Sequence, residues 1–434
     1  MTSNTAPFLK SHQRPLYKGN AMQARSAPVP TIRSVVMAII VVQVALQVGV
    51  VSRARSQTDT RGTLPSACRA LDRLANKSAD ASLPITACLL RLVPRATLSL
   101  APGQYHLRTP LTIGQPVTIE TRPPSSPAAC RQGDASRCAV LVVGQMGAQP
   151  ARSIMPVEIT ASNVTLRSIA IVGNSGRSLD WERQVCLDDG MRPLGGGIRV
   201  KATGFRLQNA LIRNFSCYTG MEVVATAARP AILNNTIGPN GTHNLPQMWA
   251  DGVTIHDSSG ARVEGNVFHD NTDVQLILGG CRDCIIRRNV FRHSVSFTHA
   301  SFAELMLHAW PNSSGNFSGS ITSKNNIDCG AARRCGYGIM IGGEPWYPAR
   351  TSGGMVSDNR IASALVALNV DRLTGPMTIV RNSVSQSGGP ADSDCGHRIW
   401  SAINISPRSV PLARTDAKQF SSMDTAKCIL LRHP

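Results

Sequence analysis

The residues of this chain best placed to do chemistry are acids at the starts of short apolar runs. Asp251 sits in Trp249-Ala250-Asp251-Gly252-Val253, Asp273 in Asn271-Thr272-Asp273-Val274, and Glu304 in Ala303-Glu304-Leu305. Aligning the runs 252–255, 273–276, 304–307 and 338–341 puts Val253, Val274, Leu305 and Ile339 at one inward position, with Asp273 and Glu304 directly before it. Stacked strands lie ~4.8 Å apart, so these two carboxylates are expected to be neighbours, with Asp251 a coil away. Like charges that close raise one pKa or recruit a cation. Such a pair can cleave a glycosidic bond, one acid protonating the leaving oxygen while the other acts as nucleophile or base. It can equally hold a divalent cation, calcium by its oxygen donors, against an acidic sugar while His308 or an arginine takes a proton. The sequence assigns no metal between these outcomes.

The same alignment sends Thr254, Gln275, Met306 and Met340 outward, with His256 and His308 at the next outward position. Trp249 precedes Asp251, Trp310 follows His308, and Trp346 and Tyr347 follow Glu344. Aromatic rings beside carboxylates suit stacking on the apolar faces of pyranose sugars. The expected catalytic set is therefore Asp251, Asp273, Glu304 and His308; the expected substrate contacts are Trp249, His256, Trp310, Trp346 and Tyr347. Each also has a plainer reading: an Asp ahead of a strand makes Asx turns, and an outward histidine needs no role.

Positioning these groups requires a stack, and the chain spells one. Ile232-x-x-Asn235-x-Ile237 recurs as Val263-x-x-Asn266-x-Phe268, Ile286-x-x-Asn289-x-Phe291, Thr322-x-x-Asn325-x-Ile327, Val356-x-x-Asn359-x-Ile361 and Ile379-x-x-Asn382-x-Val384, with Leu207-x-Asn209-x-Leu211 a looser copy. The shortest Asn-to-Asn step is 23 residues. A period of this size means stacked units that cannot bury their apolar faces singly. Alternating apolar residues around Asn give strand periodicity. Asn tolerates left-handed corners, and its amide can hydrogen-bond up a column of identical positions. A recurrent Asn corner argues against a sandwich, and 23 residues are too few for a propeller blade. The expected fold is all-β: a single-stranded right-handed parallel β-helix.

The formal net charge is +19, but residues 1–55 hold seven Lys or Arg and no acid, which leaves +12 on the remainder. That balance favours acidic partners. The basic residues are scattered and form no nucleic-acid motif, so an acidic polysaccharide fits better than nucleic acid. Residues 1–33 read as a disordered basic segment. Residues 34–51 are an uncharged apolar run of 18, near the lower limit for a membrane span and long for a signal-peptide core. Basic residues crowd its N-terminal side, which favours export of the residues C-terminal to it. The twelve cysteines fall into sequence-local pairs, Cys68/Cys88, Cys130/Cys138, Cys186/Cys217, Cys281/Cys284, Cys329/Cys335 and Cys395/Cys428. An even, locally paired set behind an export signal reads as disulfides. The expected location is therefore outside the cytoplasm: periplasmic, membrane-anchored or secreted.

After a linker at 52–63, helical spacing of Ala67, Leu71 and Leu74 predicts a helix over roughly 66–76 that caps the open end of a β-helix spanning 64–415. Residues 416–434 form a C-terminal tail. Residues 98–123 (LSLAPGQYHLRTPLTIGQPVTIETRP) read as the first coils. This run, followed by Asn-cornered coils, resembles the pectin-lyase-like superfamily of right-handed β-helix repeat proteins. The resemblance implies the fold; for activity it spans lyases, hydrolases, epimerases and noncatalytic adhesins. Asn271-Thr272-Asp273 matches the Asn-Thr-Asp of polygalacturonases, but their Gly-His-Gly and following Asp-Asp are missing, as is the Asp-Pro-His of alginate epimerases. Two readings stay open: an exported lyase or glycoside hydrolase acting on polysaccharide in a groove, or a noncatalytic polysaccharide-binding surface protein. A monomer is expected in either case.

Overall fold

The computed structural model describes residues 65–123, 126–147, 154–188, 192–242, 248–297, 300–310, 312–342, 350–393, 395–417 and 428. The expected membrane or signal segment at 34–51, and Trp346 and Tyr347, lie outside them. Among the described residues no helix is long and apolar enough to cross a membrane.

Three parallel sheets of ten, eleven and eleven strands run the length of the stack, each strand paired with its counterpart in the preceding and following coils. The chain turns through them in order. One coil uses Ala250–Ile255, then Arg262–Glu264, then Val267–His269; the next uses Val274–Leu278, Ile285–Arg287 and Val290–Arg292. This is a right-handed parallel β-helix, the hand that twisted parallel strands impose on their crossovers. Its core is a set of columns. Val253, Leu276, Leu305, Ile339 and Leu368 stack in register in the ten-stranded sheet, and Phe268 stacks face to face on Phe291 with centroids 4.9 Å apart.

The asparagines form a second column. The side-chain amide of Asn235 donates to the Oδ1 of Asn266 (2.9 Å), Asn266 to Asn289 (2.9 Å), Asn289 to Asn325 (2.9 Å), Asn325 to Asn359 (2.9 Å) and Asn359 to Asn382 (2.8 Å). Each Oδ1 also accepts the backbone N–H of the preceding coil's Asn. Two details differ from expectation. The left-handed corner is the residue before the ladder Asn, as at Asn234, Arg288, Lys324, Asp358 and Arg381. And the looser copy at Asn209 is not a rung. Its neighbour Ala210 holds the column position and offers only its backbone N–H to Asn235.

The N-terminal cap forms from Ser66–Arg69 and a 3-10 turn at Ala70–Leu74. A further helix, Ser82–Leu89, buries Ile85, Cys88 and Leu89 and is tied to the first by Cys68–Cys88. Its SLPITACL sequence hides it, because Pro84 reads as a breaker although the first helical turn needs no N–H there. Disulfides join all twelve cysteines: Cys68–Cys88, Cys130–Cys138, Cys186–Cys217, Cys281–Cys284, Cys329–Cys335 and Cys395–Cys428. Six bridges and no free thiol mark a chain that matures in an oxidising compartment outside the cytosol.

Candidate functional site

The register of the ten-stranded sheet places the expected acids differently from the sequence alignment. Val253 pairs with Leu276, not Val274, and Leu276 pairs with Leu305. Glu304 therefore corresponds to Gln275 rather than to Asp273. Both Gln275 and Glu304 turn into the interior and are 0% exposed, while Ile277 takes the outward position expected of Gln275. Glu304 is thus no neighbour of Asp273 at the outer surface. It lies near Cys329 and Cys335, but their sulfurs are bound to each other and offer no thiolate to a metal.

Asp251 and Asp273 do come together. They belong to successive coils, on either side of the step where the N–H of Asp273 donates to the carbonyl of Ala250 (3.2 Å). Both line a cleft of ≈ 280 Å³ with Arg192, Tyr218, Thr254, His256, His308 and Trp310. Asp251 is held by both oxygens: Oδ1 accepts from the N–H of Val274 (3.2 Å) and Oδ2 from the Thr254 hydroxyl (2.7 Å). Burial raises the pKa of both acids, and Asp273 adds its charge against Asp251. Asp273 rises to about 6, with the positive charge of Arg192 pulling the other way. Two half-buried carboxylates that repel each other retain a proton where isolated ones would be fully ionised.

The cleft wall is built by a second network. The buried carboxylate of Glu222 accepts from the Tyr218 hydroxyl (2.7 Å), His256 Nε2 (2.7 Å) and Arg199 Nε. Burial pushes its pKa up, but hydrogen bonds from His256 and Arg199 outweigh that and hold it at about 2. The indole N–H of Trp310 points at His256 Nδ1 (3.3 Å). An indole can only donate, so Nδ1 carries the lone pair and Nε2 the hydrogen. His256 is therefore a brace between Glu222 and Trp310, its ring edge-on to the indole at 5.2 Å, with both nitrogens committed. His308 lines the cleft yet is 1% exposed, and burial lowers its pKa to about 4. Trp249 does not line the cleft; its carbonyl accepts from Arg192 Nη2 (3.2 Å) and so helps aim that guanidinium.

Sequence reasoning missed Arg192, Tyr218 and Glu222. Arg192 arrives on the 3-10 turn Arg192–Gly195, in a stretch between strands that carries no repeat. Glu222 alternates between Met221 and Val223, so one more coil in the alignment would have found it. Tyr218 sits at the left-handed φ of 73°, an uncommon backbone for a bulky residue.

Ser301, His293 and Asp270 have the outline of a nucleophilic triad, with Ser301 Oγ 3.3 Å from His293 Nε2 and His293 Nδ1 3.2 Å from Asp270 Oδ1. Electrostatics argues against that use. Glu304 accepts from both Ser301 (2.5 Å) and His293 Nε2 (2.9 Å). Although burial lowers the imidazole's pKa, Glu304 and Asp270 raise it to about 9, so it stays charged and cannot serve as a base at neutral pH.

The strand topology defines the chain as a right-handed parallel β-helix protein. The family model described as "Right handed beta helix region" matches residues 157–326. Among solved structures the chain is similar to a polygalacturonase from Erwinia carotovora ssp. carotovora (12% identity, covering 72% of this chain and 91% of that one, TM-score 0.48). It is also similar to PfbA, a surface adhesin of Streptococcus pneumoniae (10% identity, 74% and 92%, TM-score 0.47). A third is an endo-xylogalacturonan hydrolase from Aspergillus tubingensis (11% identity, 80% and 97%, TM-score 0.46). No curated protein sequence matches the chain. At these identities none of the three structures assigns an activity here.

Proposed function

We propose that this is an exported polysaccharide-processing enzyme of the glycoside hydrolase class, working in the cleft at Asp251 and Asp273. The observation that carries the reading is the pair itself: two partly desolvated carboxylates from successive coils, facing one cleft beside a guanidinium and an indole. One member holds the shared proton and gives it to the glycosidic oxygen as the C–O bond breaks. The other, ionised, attacks the anomeric carbon or takes a proton from the attacking water. The net reaction consumes one water. Arg192 offers a cationic partner for a carboxylate-bearing sugar, and Trp310 a ring for the pyranose face. The runner-up is a noncatalytic polysaccharide-binding protein, in which Trp310 and Arg192 keep their roles and the acids have none.

The test is Asp251→Asn and Asp273→Asn on linear polygalacturonate, alginate and hyaluronan, following reducing ends and the absorbance of unsaturated uronates. Each variant should lose roughly two to four orders of magnitude in rate with an unchanged melting temperature. Full turnover by both would sink the assignment. Turnover abolished by a chelator, with unsaturated products, would establish the lyase instead.

A further inference from the structure

The outer face of the ten-stranded sheet should be its wet side. One outward row crosses it in register. From the N-terminal end it begins with Thr112, which is exposed, and runs through Glu158, Arg199 and Glu222. It then passes Thr254 and Ile277 and ends with Met306, Met340, Asn369 and Asn404. Glu158, Arg199 and Glu222 are 3–7% exposed, and the last four are 0–3% exposed. Beyond the first coil, only Thr254 and Ile277 reach solvent.

The two closed stretches are closed by different chemistry. On the N-terminal side Arg199 pairs with Glu158 and Glu222, and Tyr218 and His256 sit against Glu222. On the C-terminal side Met306 and Met340 belong to an apolar cluster with Phe302, Tyr337, Trp400 and Cys428. Among the described residues of this row, the opening that remains is the cleft of Asp251 and Asp273. It is two coils wide, or ~10 Å at one strand spacing per coil, about the length of two sugar rings.

Building on the hydrolase reading, we infer that the site takes the end of a glycan chain, or a short oligosaccharide, and not the middle of a long chain laid along the stack. A polymer lying lengthwise would meet the Arg199–Glu222 wall after a residue or two in one direction and the Met306–Met340 cover in the other. Entry by a chain terminus needs neither wall to move.

The full chain is to be incubated with the three acidic polysaccharides and with their oligosaccharides of two to six residues. End-on entry releases monomer or dimer from the earliest time points, with solution viscosity nearly unchanged when a tenth of the bonds are cut. Early release of mixed mid-sized fragments with collapsing viscosity overturns the inference and leaves the hydrolase reading intact. A second arm uses Asp251→Asn protein and calorimetry. End-on entry expects one protein per chain whatever its length, with affinity constant from the trimer upward. Stoichiometry that grows with chain length overturns it. Neither turnover nor binding with any probe removes the polysaccharide reading, and this inference with it.

Discussion

At the scale of single residues the decisive groups are those whose charge the fold has moved. Asp273 has its pKa raised to about 6 by burial, and Asp251 is raised well above its ordinary value by burial and by the charge of Asp273. A hydrolase using them needs one proton on the pair; Asp251 titrates against an already charged Asp273, so the rate should fall as pH drops below about 6, where Asp273 takes up the second proton. Asp273→Asn removes that titrating group, and the residual rate should lose this acidic limb; a pH–rate profile of wild type and variant checks it. His293 gives a prediction about stability. Its folded pKa of about 9 lies above its ordinary value of 6.5, so its contribution is complete below pH 6.5 and lost as pH climbs through 9. Asp270 is held below its ordinary value: burial pushes it up, but hydrogen bonds from His269 and His293 prevail. Its contribution is present above about pH 4 and lost in acid. Urea unfolding should therefore show up to roughly 3 kcal/mol less stability at pH 9.5 than at 6.5 from His293. His293→Gln should flatten that slope, and an equal slope in the variant would locate it elsewhere.

At the scale of the element, the repeat was legible because each ladder Asn is a geometric necessity. Five amide-to-carbonyl bonds link Asn235 to Asn382, and alternation around each Asn announces the strands. Asn289→Ala deletes bonds to Asn325, Asn266 and the carbonyl of Val263 from a buried corner, and should cost roughly 1–3 kcal/mol. Arg292→Ala, on an exposed strand position, should be nearly silent in the same melting experiment. The candidate site was less legible, for a reason that lies in strands themselves. A one-residue slip reverses inside and outside, but a two-residue slip preserves the alternation. Val274 and Leu276 are both apolar, so pattern alone could not choose between them, and Glu304 was drawn to the wrong neighbour. Arg192 had no periodic signal, since it reaches the cleft from an irregular segment upstream.

At the scale of the whole molecule, the outer face of one sheet carries both the site and its surroundings, and the C-terminal region helps define where the site ends. Trp400, on the short antiparallel pair Gly389–Ala391 and Arg398–Trp400, and Cys428 pack in the apolar cluster over Met306 and Met340, and the Cys395–Cys428 bridge ties that region together. Native protein should show no thiol reactive to labelling before reduction, because every cysteine is paired. Replacing both Cys395 and Cys428 by Ser removes a tether that closes 33 residues of sequence separation, worth about 3–4 kcal/mol of anchorage by chain entropy. Apolar packing alone would then have to keep Cys428's position covered. The double variant should bind a hydrophobic dye such as ANS several-fold more strongly at 25 °C, while circular dichroism keeps the β-helix signature, because the sheets do not depend on that bridge. Dye binding equal to wild type would mean that the apolar cluster closes itself and the bridge is redundant.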